Sequence, residues 1–279
     1  MTSPEYLIDI GDTHVGHRLA LTPERGFHID GGSLVLPNGI QRAINEAWAR
    51  FQQRVRDITD GAPYILLHKG DAVEGVHHRN KDGLSINMVD QADNCVEVLS
   101  DICRNAAEVY FCRGTPAHAG ADSEWEEHVA GRLGAIPTEG GAYTRQVWFY
   151  NWGGYLVHAA HHIGVTSVHA SKATAPMAEL AELRATAGQY GLRAPDMITR
   201  GHRHDGTIVG TPSNNGMAWS VTTPGWQGKT GFSYKVKSGR VGQLTVGGGI
   251  HHLKNGRIRP WIEAYAIAPE LERLGGNNE

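Results

Sequence analysis

The chain has 279 residues, 40% of them hydrophobic and 20% charged, with a formal net charge of -3. That composition belongs to a folded globular protein with room for one large or two ordinary domains, and it excludes a chain-wide basic field for nucleic acid, so a polyanionic substrate has to be held by a local site. The three cysteines form no Cys-x-x-Cys, the N-terminal stretch MTSPEYLIDIGD is not a signal sequence, and no apolar run reaches the ~18 residues of a membrane span, so a cytoplasmic protein with reduced thiols is expected.

The first predicted element is a strand in YLIDIGDTHVG, running into a polar loop. A helix-like pattern follows over 38–61, then a second strand in PYILLHKGD (63–71) and a second helix over 88–106. The third strand, EVYFCRG, leads into GTPAHAG (114–120), a glycine-bounded loop carrying His118. The third helix, 122–134, has Ser123 and Glu126 at capping-box spacing and Gly134 as its stop. GGYLVHAAHH (153–162), a helix over 175–191 and APDMITRGHRH (194–204) complete the alternation, which favours a layered α/β fold with parallel strands. Residues 205–268 read as antiparallel β segments of the same domain (1–268), with KNGR (254–257) as a hairpin turn and 269–279 as a tail.

Sixteen histidines against five phenylalanines is the unusual feature, because neutral imidazole is a frequent ligand of borderline metals. In an extended backbone the side chains of Asp12 and His14 would point the same way and reach one ion. With so many histidines, Asp-x-His or His-x-His alone says little. Order says more. Asp12 and His14 close the first strand, Asp71 the second, His118 follows the third, His161 and His162 end the fourth, and His202 and His204 the fifth. Donors at the carboxyl ends of successive parallel strands converge on one rim.

This ordered set, GDTHVG, GDAVEG, RGTPAHAG, AAHHIG and GHRHDG, resembles the calcineurin-like metallophosphoesterase superfamily, and the C-terminal β segment with TPGWQGK and the terse loops resemble its phage-type members. The resemblance implies a four-layer αββα sandwich with a dinuclear metal site at strand ends. Asp12, His14 and His204 would hold one divalent ion, His161 (in preference to His162) and His202 the other, with Asp71 bridging; Mn, Fe and Zn all suit such donors. It also implies phosphoester hydrolysis by a metal-bridging hydroxide. Phosphodiesters, nucleic acid or nucleotide among them, are favoured over monoesters, because of the His118 loop, because His77–Lys81 is partly basic and because GDAVEG lacks the arginine of the protein-phosphatase branch.

The departure lies in RGTPAHAG: Thr115 stands where the family has a metal-binding asparagine. His118 then either enters a coordination shell or serves as the acid at the leaving group, the reading preferred here. Glu74 would support a ligand histidine from outside. His158 is expected to be a buried, non-ligating imidazole, and the tryptophans packing groups rather than a base-stacking platform. Another class of function, a ligand-depleted scaffold for protein binding, is disfavoured by the six retained ligand positions. An amidohydrolase barrel is disfavoured by motif order, since His-x-His comes last here.

Overall fold

The computed structural model describes residues 3–77, 82–164, 171–214, 216–230 and 245–267. In chain order the elements are β1 (Tyr6–Ile10), β2 (Phe27–Ile29), β3 (Ser33–Val35), α1 (Gly39–Thr59), β4 (Tyr64–His68), α2 (Met88–Arg104), β5 (Ala106–Cys112), α3 (Pro116–Ala119) and α4 (Glu124–Arg132). They continue with β6 (Thr144–Arg145), β7 (Val147–Trp152), β8 (Tyr155–Ala160), α5 (Thr174–Gln189), β9 (Met197–Arg200), β10 (Thr207–Ser213), β11 (Gly216–Thr222), β12 (Thr245–Leu253), β13 (Ile258–Arg259) and β14 (Ile262–Ala266).

The expected strands are divided between two sheets. One has the order β13-β12-β1-β4-β5-β6 with β14 on β12, and its β1, β4, β5 and β6 run parallel. The other has the order β10-β11-β9-β8-β7, with β8, β9 and β11 parallel and β7 and β10 antiparallel at the edges. Leu7 and Ile65 of the first sheet pack against Trp152, Val157, Met197 and Val221 of the second, so the sheets lie face to face. The outer face of the first sheet buries Ile8, Ile10 and Leu66 under α1, α2 and α4, through Ile44, Phe51, Cys95, Leu99 and Val129. On the far side, Leu180 and Leu183 of α5 cover Ile198 and Ala218. The result is a four-layer αββα sandwich. β12 pairs antiparallel with β1, which carries the late β segment into the first sheet. KNGR turns β12 into β13 through paired Lys254 and Arg257 backbones.

Local chemistry explains the helix ends, with one correction. Asn38 and Gln41 form a reciprocal capping box on α1, and Asn87 caps α2 through the Val89 N–H. Ser123 and Glu126 do not form the expected box: Ser123 has φ 58° and makes no side-chain cap bond. Glu126 is instead turned into the protein, where its carboxylate accepts from the Gly114 N–H at 2.6 Å and the Ala72 N–H at 3.4 Å. Two backbone amides beneath the second and third strand ends outcompete a solvated cap. The tryptophans behave mainly as packing groups; Trp148, Trp152 and Trp226 are buried, whereas Trp261 is 56% exposed. Residues 78–81, most of the basic stretch, and 269–279 lie outside the described residues. No described helix is long and apolar enough to cross a membrane.

Candidate metal centre

The loops after β1 and β4 run side by side, tied by Asp12 N–H to Gly70 O (2.8 Å), His14 N–H to Asp71 O (3.0 Å) and Val15 N–H to Ala72 O (3.0 Å). Asp12 and His14 do not share a direction by extended geometry, as the two-residue spacing suggested. Both are left-handed, at φ 53° and 42°, and so are Asp71 (53°), His202 (67°) and His204 (50°). Left-handed backbone is costly for residues with a Cβ and collects at functional sites. Here it rolls each donor off its strand end into the space between the sheets. Glycine keeps that space open: a Cβ on Gly201 would stand 2.6 Å from Asp12 Oδ2.

The donors form two adjoining groups. In the first, His204 Nε2 is 3.2 Å from Asp12 Oδ1 and 3.2 Å from His14 Nε2, while His14 Nε2 is 3.9 Å from Asp71 Oδ2. In the second, His161 Nε2 lies 3.1 Å from Asp71 Oδ2 and 3.2 Å from His202 Nδ1. The His202 N–H donates to both Asp12 oxygens at 3.0 Å, linking the groups. All six positions named for metal therefore come together, and Asp71 lies between the groups.

These contacts are hard to satisfy with hydrogen bonds alone. His161 Nδ1–H donates to Lys69 O at 2.8 Å, so in the neutral ring Nε2 is a lone pair facing a carboxylate and a second imidazole. His14 Nδ1 sits 3.2 Å from Glu74 Oε2, which turns its Nε2 toward His204 in the same way. Donor atoms around an ion with bonds near 2.1 Å lie roughly 3.0–3.4 Å apart, and the closest separations here fall in that range. The residues present fit a pair of divalent cations.

Electrostatics agree. Asp12 and Asp71 are held well below the usual carboxylate range: burial opposes this, but facing His204 and His161 outweigh it. Burial, with the neighbouring His118, lowers His14 to about 4, and burial with His161 lowers His202 to about 4, so both are neutral donors at pH 7. His161 goes the other way, to about 10, because Asp71 overcomes the burial penalty. Without a metal, a proton on His161 does part of a cation's work.

His118 sits in the four-residue α3 rather than in an open loop. Its Nδ1–H donates to Glu74 O at 2.5 Å, and its ring stands edge-on to His14 with centroids 4.5 Å apart. A ring nitrogen comes within 4.8 Å of donor atoms of His14 and Asp71. The His118 ring thus lies on the side of the first group. Thr115 occupies the second: its N–H donates to Asp71 Oδ1 at 2.6 Å, and its hydroxyl is 3.2 Å from Asp71 Oδ2 and 3.3 Å from His161 Nε2. Glu74 lies beside His14, His77 and Gln227 Nε2. His158 is buried and accepts from Arg200 at 2.7 Å, outside both groups.

Several supporting residues escaped the sequence reading. Lys69, fully buried, pairs with Asp9 at 2.8 Å and donates to Arg200 O, Thr223 and Thr199, bridging the sheets under the donors. A charge inside each of the apolar runs YLIDI and YILLHK was the available signal. Glu126 lies beneath Asp71. Trp226 and Gln227, in the loop after β11, reach Asp12 O and Glu74, and nothing in TPGWQ marks that role.

No protein-family model matches the sequence, and no curated protein matches it. Among solved structures the chain is similar to vacuolar protein sorting 29 from Cryptosporidium parvum, at 10% identity and TM-score 0.39, covering 95% of this chain and 99% of that one. It is similar to a novel archaeal phosphodiesterase at 10% identity and TM-score 0.38, covering 92% and 99%. It is also similar to a metallophosphoesterase from Sphaerobacter thermophilus at 13% identity and TM-score 0.38, covering 93% and 89%. Likeness at this level is too distant to identify a function, and the chemistry has to be read from the donor constellation of the chain itself.

Proposed function

We propose that the protein is a metal-dependent phosphoesterase, with residues 1–268 as one catalytic domain and phosphodiesters as the preferred substrate class. The observation that supports it most strongly is the pair of donor groups sharing Asp71, spaced as ligand atoms around two cations. Asp12, His14 and His204 would hold one ion, His161 and His202 the other, and Asp71 both. Bound there, two divalent ions (Mn, Fe or Zn) would acidify water and neutralise phosphoryl oxygens.

The chain's own groups do the rest. His14 is oriented by Glu74, and His161 by the Lys69 carbonyl. His118, with Nδ1–H held by the Glu74 carbonyl, has Nε2 free to carry a proton to the leaving alkoxide. An alkoxide is a poor leaving group, and it needs that proton more than a nitrophenolate does.

The test is hydrolysis of bis-p-nitrophenyl phosphate, p-nitrophenyl phosphate and an alkyl phosphodiester with each metal, in the parent, Asp71→Asn and His118→Ala. Metal-stimulated turnover, lost in Asp71→Asn, is expected. His118→Ala should keep its metal and lose on the order of 10²–10⁴ in rate on the alkyl ester and much less on the nitrophenyl esters. Absence of turnover of every ester with every metal overturns the reading in favour of a binding scaffold. Loss of metal from His118→Ala makes that residue a ligand.

A further inference from the structure

We infer that His162 is a ligand of the second ion, taking up the coordination that Thr115 cannot supply. The inference rests on the dinuclear reading above and departs from the sequence-based choice of His161 over His162. Three imidazoles meet at this point. The His161 and His162 ring centroids are 4.8 Å apart, His162 and His202 5.0 Å, and His161 and His202 5.1 Å. One ring nitrogen from each of the three lies within 4.8 Å of the other two. The chain has just left β8, and the Gly201 N–H donates to His161 O at 3.0 Å, which sets 161–162 beside the loop carrying His202.

Counting donors makes the need plain. Without His162 the second group offers Asp71, His161 and His202, plus a threonine hydroxyl. That hydroxyl, 3.2 Å from Asp71 Oδ2, spends its proton on the bridging carboxylate and is a neutral, weakly basic oxygen. His118, the other candidate replacement, is engaged on the side of His14 and Glu74. With His162 the group has three imidazoles and a carboxylate, matching the donor number of the first group and leaving positions for water on a five- or six-coordinate ion. His161 is buried whereas His162 is exposed, so His162 closes the group from the solvent side. The second site is therefore built on three histidines, two of them adjacent in sequence.

The experiment counts ions. Chelator-stripped parent, His162→Ala, His161→Ala and Thr115→Asn/His162→Ala are reloaded with Mn(II) or Zn(II), desalted and analysed by mass spectrometry for metal. Near-ultraviolet circular dichroism reports folding, and electron paramagnetic resonance reports spin coupling between Mn(II) ions. The parent should hold two ions. His162→Ala should hold one tightly and bind the second at least about tenfold more weakly, losing the spin-coupled signal. Thr115→Asn should restore the second ion, because an amide oxygen is a better donor than a hydroxyl. If His162→Ala holds two ions with the parent's affinities, the inference is overturned while the dinuclear reading stands. A parent that takes up no ion overturns both.

Discussion

Removing the amine of Lys69 should destabilise the fold sharply. Its Nζ lies 2.8 Å from Asp9 Oδ1 with both side chains fully buried, and it donates to Arg200 O at 2.9 Å and to the Thr223 hydroxyl at 2.5 Å. Asp9 belongs to β1 and Arg200 to β9, so a single ammonium spans the gap between sheets. Lys69→Met keeps most of the volume but leaves the Asp9 carboxylate without its counter-ion and the Arg200 carbonyl without this donor. Breaking one side of a buried ion pair costs about 3–5 kcal/mol, which for a protein of this size lowers Tm by on the order of 10 °C. Asp9 retains His251, 3.4 Å away, which keeps the loss toward the lower end. Urea unfolding in excess chelator measures the fold without any contribution from metal. The double variant Asp9→Asn/Lys69→Met removes both charges and should recover at least half of the loss. Asp9 is held below the usual carboxylate range, burial being outweighed chiefly by Lys69, so the single variant should regain stability on acidification as Asp9 takes up a proton. A loss below about 1 kcal/mol at pH 7, or a double variant no better than the single, would refute the assignment of the ammonium as an inter-sheet tether.

The remaining predictions concern the floor of the site. Burial and the nearby Asp71 charge push the Glu126 carboxyl from 4.5 up to about 7, so the folded chain holds this proton more tightly than the unfolded one. Its contribution to the stability of the metal-free protein should therefore fall as pH rises between those values, by roughly 3 kcal/mol, against the opposite trend from His14 and His202; Glu126→Gln removes that contribution, so the difference between parent and variant should change across pH 4 to 8, and parallel unfolding profiles would contradict it. A Cβ on Gly114 would collide with Asp71 Oδ1 and its backbone nitrogen. Gly114→Ala should weaken metal binding about tenfold or more in a calorimetric titration, whereas Gly188→Ala, with nothing within 4 Å, should leave it unchanged; equal affinities would remove the steric argument.

The candidate donors were legible because metal chemistry limits them to a few residue types and the motifs follow strands, so motif order together with the family resemblance marked Asp12, His14, Asp71, His161, His202 and His204, which the fold brings together. Helix cores were legible from periodicity, as in the Ile44, Trp48, Phe51 and Val55 stripe of α1. What stayed hidden depends on contacts between distant segments. The Ser123–Glu126 box satisfied a local rule, yet Glu126 serves Gly114 and Ala72 instead. The left-handed turns at the donors could not be read from Asp and His, which carry no glycine signature. His251, which no motif in the sequence marks, is a buried partner of Asp9.

One consequence of the layering concerns the order of events during folding. Asp12, His14 and Asp71 ride on one half of the sandwich, and His161, His202 and His204 on the other, so a half formed alone is a poor chelator. Tight ion uptake should then appear only once the halves have closed on each other, and a stopped-flow metal indicator would time that closure. Ions held there would act as rivets in the finished protein, and stripping them should then speed the parting of the halves more than it slows their meeting.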